Sequence, residues 1–233
     1  MAYSKMALIP PEEKRMTTTI AVLGGTGPEG GGLALRWAQA GYGIIIGSRD
    51  AARAQSAAEA INAKIGAERA SGAENVAAAT AAEIVVLTVP YTAHGATLET
   101  VKAACQGKIL IDVTVPLVPG KVTRVALPPG GSASLEAQAL LGPDVRVVTA
   151  FQNISAEHLQ ELGHAVDCDV LVCGDDKAAK AVVIGLAKDG GMTAFDAGPL
   201  ANSVVPEGLT SVLIGLNIRH KVKSSGIKIT GIG

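Results

Sequence analysis

Six residues, Gly25-Thr26-Gly27-Pro28-Glu29-Gly30, follow an apolar, β-branched run and open an alanine-rich stretch. Their spacing is G-x-G-x-x-G. The first glycine permits a tight turn, and at the second a side chain would block a pyrophosphate from reaching the backbone. The third lets the following helix pack closely on the strand. Pro28 suits the first helical turn, where its missing N–H costs nothing. The amide ends of that helix then face the phosphates. The chemistry this spacing can do is dinucleotide binding, and its bland alternative is a glycine-rich turn with no ligand.

About 20 residues further on, an NAD site places an acid on the ribose 2′-hydroxyl. Here Ser48 and Arg49 stand at that point, and Arg53 follows one helical turn later. A hydroxyl and two guanidinium groups suit a 2′-phosphate, so the predicted cofactor is NADP. Asp50 would repel a phosphate, but it also suits the N-cap of a helix over 51–64.

Groups for acid–base or covalent catalysis are scarce. Of the four histidines, His94 sits at the carboxyl end of a strand and could approach a cofactor. His158, His164 and His220 fall in polar or basic stretches. No Ser/His/Asp set, Schiff-base lysine or metal-ligand spacing is present. Reduction of a carbonyl calls for a placed proton donor. Hydride transfer between two cofactors does not, because each carries its own electronics. No catalytic residue and no metal are therefore expected, only an apolar cleft that stacks two rings. The segments at 114–120 and 151–155 could line one.

The elements that would position these residues are legible as apolar runs at 19–24, 42–48, 83–90, 108–116 and 145–151. Such uniformly apolar strands belong to a parallel sheet covered on both faces. Helical stretches at 29–40, 51–64, 92–104 and 132–141 alternate with them. The predicted fold class is α/β, a Rossmann-like doubly wound parallel sheet with a small C-terminal helical portion. Further strands are read at 167–176 and 192–199, with helices at 176–191 and near 207–220. The predicted divisions are a flexible extension over 1–18, an NADP-binding domain over 19–151 and a smaller C-terminal domain over 152–233.

Of 233 residues, 48% are hydrophobic and 18% charged, with a net charge of −1. That balance fits a globular protein and offers no basic face for nucleic acid. No apolar run reaches the roughly 18 to 20 residues of a membrane span. Cys105, Cys168 and Cys173 are scattered and suit a reducing cytoplasm. The first 16 residues lack the apolar core of a secretory signal, and Met16 offers a second possible start.

The chain resembles the NADPH-dependent reductases of the deazaflavin coenzyme F420. The similar features run from about Ile20 to Ile229. They are "VLGGTGPEGGGLALR", "GSR", "VLTVP", "PLVP", "VCGDD", "DAGPLANS" and the closing "GIK". The order of the last three is the most specific part. The resemblance implies that Thr26, Gly27, Pro28 and Glu29 form the phosphate-binding turn, and that Ser48, Arg49 and Arg53 hold the 2′-phosphate. It puts Val89 and Val118 near the nicotinamide, and Ile154 and Ala156 over the nicotinamide and deazaflavin. It also implies direct hydride transfer between the two rings, with F420 as second substrate, and a homodimer with a C-terminal helix in the contact. Three departures surround the deazaflavin side. Gln152 replaces a frequent histidine, His94 is shifted by one position, and Val115 replaces a serine.

The rival expectations are another NADP-dependent reductase, with an imine, carbonyl or flavin and metal acceptor, and a non-catalytic NADP sensor. Imine and hydroxyacid enzymes need a long helical second domain, for which few residues remain after Pro199.

Overall fold

The computed structural model describes residues 17–232. Residues 1–16 of the predicted extension, Met16 included, lie outside the described residues. The chain runs β1 (Thr19–Leu23), α1 (Pro28–Gln39), β2 (Gly43–Ser48), α2 (Ala51–Ile65), β3 (Ala70–Glu74), α3 (Asn75–Ala81), β4 (Ile84–Leu87) and α4 (Tyr91–Cys105). It continues with β5 (Ile109–Asp112), α5 (Ala133–Leu141), β6 (Arg146–Thr149), α6 (Ala156–Gln160), β7 (Asp169–Gly174), α7 (Lys177–Asp189) and β8 (Thr193–Asp196). A 3-10 turn (Leu200–Ser203) then leads into α8 (Val204–His220).

The strands form an eight-stranded sheet in the order β3-β2-β1-β4-β5-β6-β7-β8. The first six positions repeat the dinucleotide-binding order, with its reversal between β1 and β4. Alternation along each strand explains the two-sided burial. Ile20, Val22, Ile84, Val86 and Ile109 face one apolar cluster with Leu33 and Trp37 of α1. Ala21, Leu23, Val85, Leu87 and Leu110 face the other, with Leu98 and Val101 of α4.

Register sets the site. Leu23 pairs with both Gly47 and Leu87, Leu87 with Asp112, and Asp112 with Thr149. The carboxyl ends of five strands thus stand in one row. Every loop expected to touch cofactor leaves from that row.

Two features depart from the sequence expectation. β3 is a short edge strand of small and polar residues with no apolar run to announce it. β7 pairs antiparallel with β6, and only β8 returns to parallel alignment with β7. A parallel return needs a covering crossover, usually a helix. Residues 150–168 carry only the five-residue α6, and Arg36 binds that segment against α1. The chain therefore re-enters the sheet from the end it left. The predicted division at 151 falls just after β6, where the two stretches meet along the β6–β7 pairing. Asp176 caps α7 by accepting from Ala179 N at 2.6 Å, and Asp175 accepts from Leu200 N at 2.9 Å. Both acids of that pair are thus used in folding.

Candidate functional site

A groove of about 840 Å³ lies over the row of strand ends. One wall is the turn between β1 and α1. The left-handed backbone falls on Gly24 (φ 84°), one residue before the motif's first glycine. A side chain at Gly25 would stand 2.8 Å from the Val22 carbonyl oxygen, so the tight return excludes any larger residue. Gly27 opens α1 and Pro28 occupies its first turn. Thr26, Gly27, Pro28 and Glu29 all line the groove.

Ser48, Arg49 and Arg53 line its rim beyond β2. The Asp50 carboxylate is engaged in capping α2, where it accepts from Ala52 N at 3.0 Å and Arg53 N at 3.2 Å. Arg49 and Arg53 are exposed, and among the described residues their side chains make no hydrogen bond or ion pair. Two free guanidinium groups beside a hydroxyl make an anion-binding rim.

The opposite wall comes from the loops after β4 and β5. It includes Thr88, Val89, Pro90, Ala93 and Thr97, then Val113, Thr114, Val115 and Leu117. Val118 is 41% exposed and lies outside the groove lining.

His94 is buried beneath this wall. Its Nε2 meets Asp112 Oδ2 at 2.7 Å, and the Tyr91 ring stacks on it with centroids 6.0 Å apart. Burial lowers the His94 pKa, but the hydrogen bond and charge of Asp112, aided by Glu136 and Glu207, outweigh it. The net shift is above the usual histidine value. Asp112 Oδ1 accepts from Thr114 N at 3.0 Å, and the Asp112 carbonyl accepts from Gln152 Nε2 at 2.7 Å. One residue thus links the groove wall to Gln152.

Gln152 and Ile154 line a smaller cavity of about 200 Å³ with Asn153, Thr210 and Leu213. Ala156 opens α6 beside it. Phe151 precedes them with φ 77°, a rare conformation for an aromatic residue. Its ring meets Trp37 edge-on at 5.7 Å, which holds the strained backbone in place. The structure therefore gathers the turn, the rim and Val89 in one groove. It leaves His94 behind the wall, and Gln152 and Ile154 at a separate cavity.

Five buried side-chain atoms lack a hydrogen-bond partner among the described residues: Glu29 Oε1, Asn75 Oδ1, Thr149 Oγ1, Gln152 Oε1 and Asn153 Oδ1. Buried polar atoms are normally satisfied. Glu29 and Asn75 line the groove, and Gln152 and Asn153 line the smaller cavity. The orphans thus concentrate where a ligand would supply partners. Asn75, Thr88 and Asp112 were not visible as site residues in the sequence, whereas Thr114 opens the segment expected to line the cleft. Asp112 lies inside an apolar run, and the others are ordinary polar residues until the strand ends align.

Strand order, switch point and glycine turn define a Rossmann-type α/β protein. The family described as "NADP oxidoreductase coenzyme F420-dependent" matches residues 19–116. The F420-dependent NADP reductase of Methanothermobacter thermautotrophicus is 44% identical over 226 residues, covering 94% of this chain and 97% of that protein. That of Methanocaldococcus jannaschii is 43% identical, covering 91% and 98%. A solved structure of a candidate F420-dependent NADP reductase from Arthrobacter sp. FB24 superposes with a TM-score of 0.77. It is 26% identical and covers 93% of this chain and 100% of that one. The chain belongs to the F420-dependent NADP reductase family. Among the described residues no helix is long and apolar enough to cross a membrane.

Proposed function

We propose that this chain is an NADP-dependent oxidoreductase that transfers a hydride directly between NADP(H) and coenzyme F420. Relatives named for that reaction match it along more than nine-tenths of its length. The observation that carries the cofactor half is the rim, where Arg49 and Arg53 have no hydrogen-bond or ion-pair partner among the described residues, beside Ser48, while Asp50 is committed to a helix cap.

The residues fit the nucleotide. Thr26, Gly27, Pro28 and Glu29 receive the pyrophosphate at the start of α1, and Ser48, Arg49 and Arg53 take the 2′-phosphate. Val89 borders the nicotinamide end and Val118 lies near it. Gln152, Ile154 and Ala156 face the deazaflavin, and Gln152 Oε1 awaits a donor. His94 acts at one remove, by holding Asp112 and through it Thr114 and Gln152.

The two cofactors supply the redox chemistry, one giving a hydride and the other accepting it. No side chain then needs to move a proton. The protein's work is to align the two rings and keep water out. Residues 152–233 serve as the smaller unit that completes the deazaflavin cleft. Val205, Val212 and Ile218, exposed on α8, suit the contact of a homodimer. Three buried free cysteines suit the cytoplasm, and the near-neutral charge leaves nucleic acid without a site.

The test is to mix the protein with NADPH and oxidised F420 and follow both absorbances. Loss of deazaflavin absorbance in step with NADPH oxidation, much slower with NADH, is the expected result. NADPH binding without any bleaching would leave the nucleotide assignment and remove F420 as the acceptor.

A further inference from the structure

We propose that Glu29 engages bound NADP(H) as a neutral carboxylic acid, donating a hydrogen bond from its carboxyl to a phosphate oxygen at the start of α1. This rests on the NADP assignment above and deepens it.

The geometry comes first. Glu29 is in the first turn of α1 and lines the groove at the glycine turn. The residue as a whole is part-exposed, but Oε1 is buried and has no hydrogen-bond partner among the described residues. A carboxylate left so would be costly, and a carboxyl that keeps its proton is less so. Burial alone pushes the Glu29 pKa up to about 8. No charged neighbour contributes to that shift. The other charged side chains on the groove are Arg49, Asp50 and Arg53, on the rim beyond β2. The β4 wall offers Thr88, Val89, Pro90, Ala93 and Thr97, and the β5 wall Val113, Thr114, Val115 and Leu117, none of them titratable below the lysine range. Behind the turn, Gln160 of α6 donates to the Pro28 carbonyl and carries no charge, and the one charged group lining the cavity there, Lys64 of α2, donates to the Gln160 carbonyl at 2.7 Å.

An ionised Glu29 beside a pyrophosphate would place like charges together in a partly dry site. A neutral one turns the same residue into a donor. A bound phosphate favours the protonated form further, so binding draws a proton onto Glu29 wherever the free carboxyl has lost it.

The experiment is calorimetric titration with NADP+ from pH 7.5 to 9.5, in two buffers of different ionisation enthalpy, on the wild-type chain and Glu29→Gln. The 2′-phosphate stays dianionic across this window. His94 and Glu207 titrate nearer to it, but neither lines the groove, and both remain in the variant. Wild-type affinity is expected to fall above pH 8 by about tenfold per pH unit, with proton uptake on binding. Glu29→Gln keeps an amide donor, so its affinity stays flat and its extra proton uptake vanishes. Identical pH profiles in the two chains overturn the proposal. So does wild-type affinity that rises with pH, which marks an ionised Glu29 accepting from a ribose hydroxyl. Proton uptake is read on the wild type alone, so zero uptake overturns it even if the variant fails to fold. A folded wild-type chain that binds no NADP+ at any pH overturns the functional assignment itself.

Discussion

His94 Nε2 lies 2.7 Å from Asp112 Oδ2, with the two side chains 2% and 0% exposed. Asp112 also accepts from Thr114 N and, through its carbonyl, from Gln152. Removing one partner of a buried ion pair leaves the other uncompensated, at a cost of about 3 kcal/mol. Asp112→Asn is expected to lose that much in urea unfolding at pH 6. The His94 pKa is raised in the folded state, so the pair's contribution is whole below the unfolded value of about 6.5. It fades as pH rises through the folded value. The gap between wild type and variant should therefore narrow at pH 9. A ring-proton titration of His94 with its midpoint below 6.5 would contradict this assignment.

Glu207 gives the converse case. It reaches from α8 to accept from Ala133 N at 2.8 Å, Ser134 N at 3.1 Å and Ser134 Oγ at 3.1 Å. Burial, the largest influence, and the charge of Asp112 outweigh those bonds and lift its pKa to about 7. An acid raised on folding contributes most below its unfolded pKa and loses that contribution as pH rises through the folded value. Glu207→Gln should gain on the wild type by about 3 kcal/mol between pH 4.5 and 8. A difference in unfolding free energy that does not change over that window would mean Glu207 ionises freely.

The contrast between Arg49 and Asp112 shows what the sequence could reveal. Arg49 follows an apolar strand at a fixed distance from a glycine turn, so its place at the groove rim is a local matter. Asp112 sits in "KILIDVTVP" and reads as the polar end of a strand. Its role appears only when α4 brings His94, 18 positions earlier, into reach. The same holds for the elements. β4 and β5 are fully buried and announce themselves as apolar runs, whereas Ala70–Glu74 pairs only with β2 at the edge and needs no apolar face. β7 has an apolar strand's composition, but its direction depends on where residues 150–168 are anchored, which no strand pattern records.

Arg49→Ala should separate the two nicotinamide cofactors. The exposed guanidinium gives up no partner among the described residues, so the variant is expected to fold with unchanged stability. Loss of a bidentate contact to the 2′-phosphate should weaken NADP(H) by about 2 to 3 kcal/mol, or roughly 30- to 150-fold. NADH binding should change by less than about threefold. Fluorescence titration with both cofactors measures the ratio directly. Equal losses for the two would remove the 2′-phosphate from this rim.

Arg36, in the last turn of α1, is 6% exposed, and its guanidinium is held by a clamp of backbone carbonyls rather than by an ion pair. Its Nε donates to Leu159 at 3.1 Å, Nη1 to Gly190 at 2.8 Å, and Nη2 to His158 at 2.6 Å and Glu161 at 2.7 Å, with His164 shared at 3.3 Å. These bonds bind the segment after Ile154 to the helix that begins at the phosphate turn. A lysine has fewer donors on a single nitrogen and cannot span carbonyls on both sides of a planar fork. Arg36→Lys leaves at least two of the carbonyls unsatisfied, so a loss of about 2 to 3 kcal/mol is expected. Because the clamp reaches α6 and not the groove rim, the kinetic defect should be selective. KM for F420 should rise several-fold while KM for NADPH stays within about twofold. Hydrogen exchange should quicken over 156–166 and remain slow in β1 and β4. Equal rises in both KM values, with uniform faster exchange, would show that Arg36 supports only global stability and does not position the segment beside Gln152.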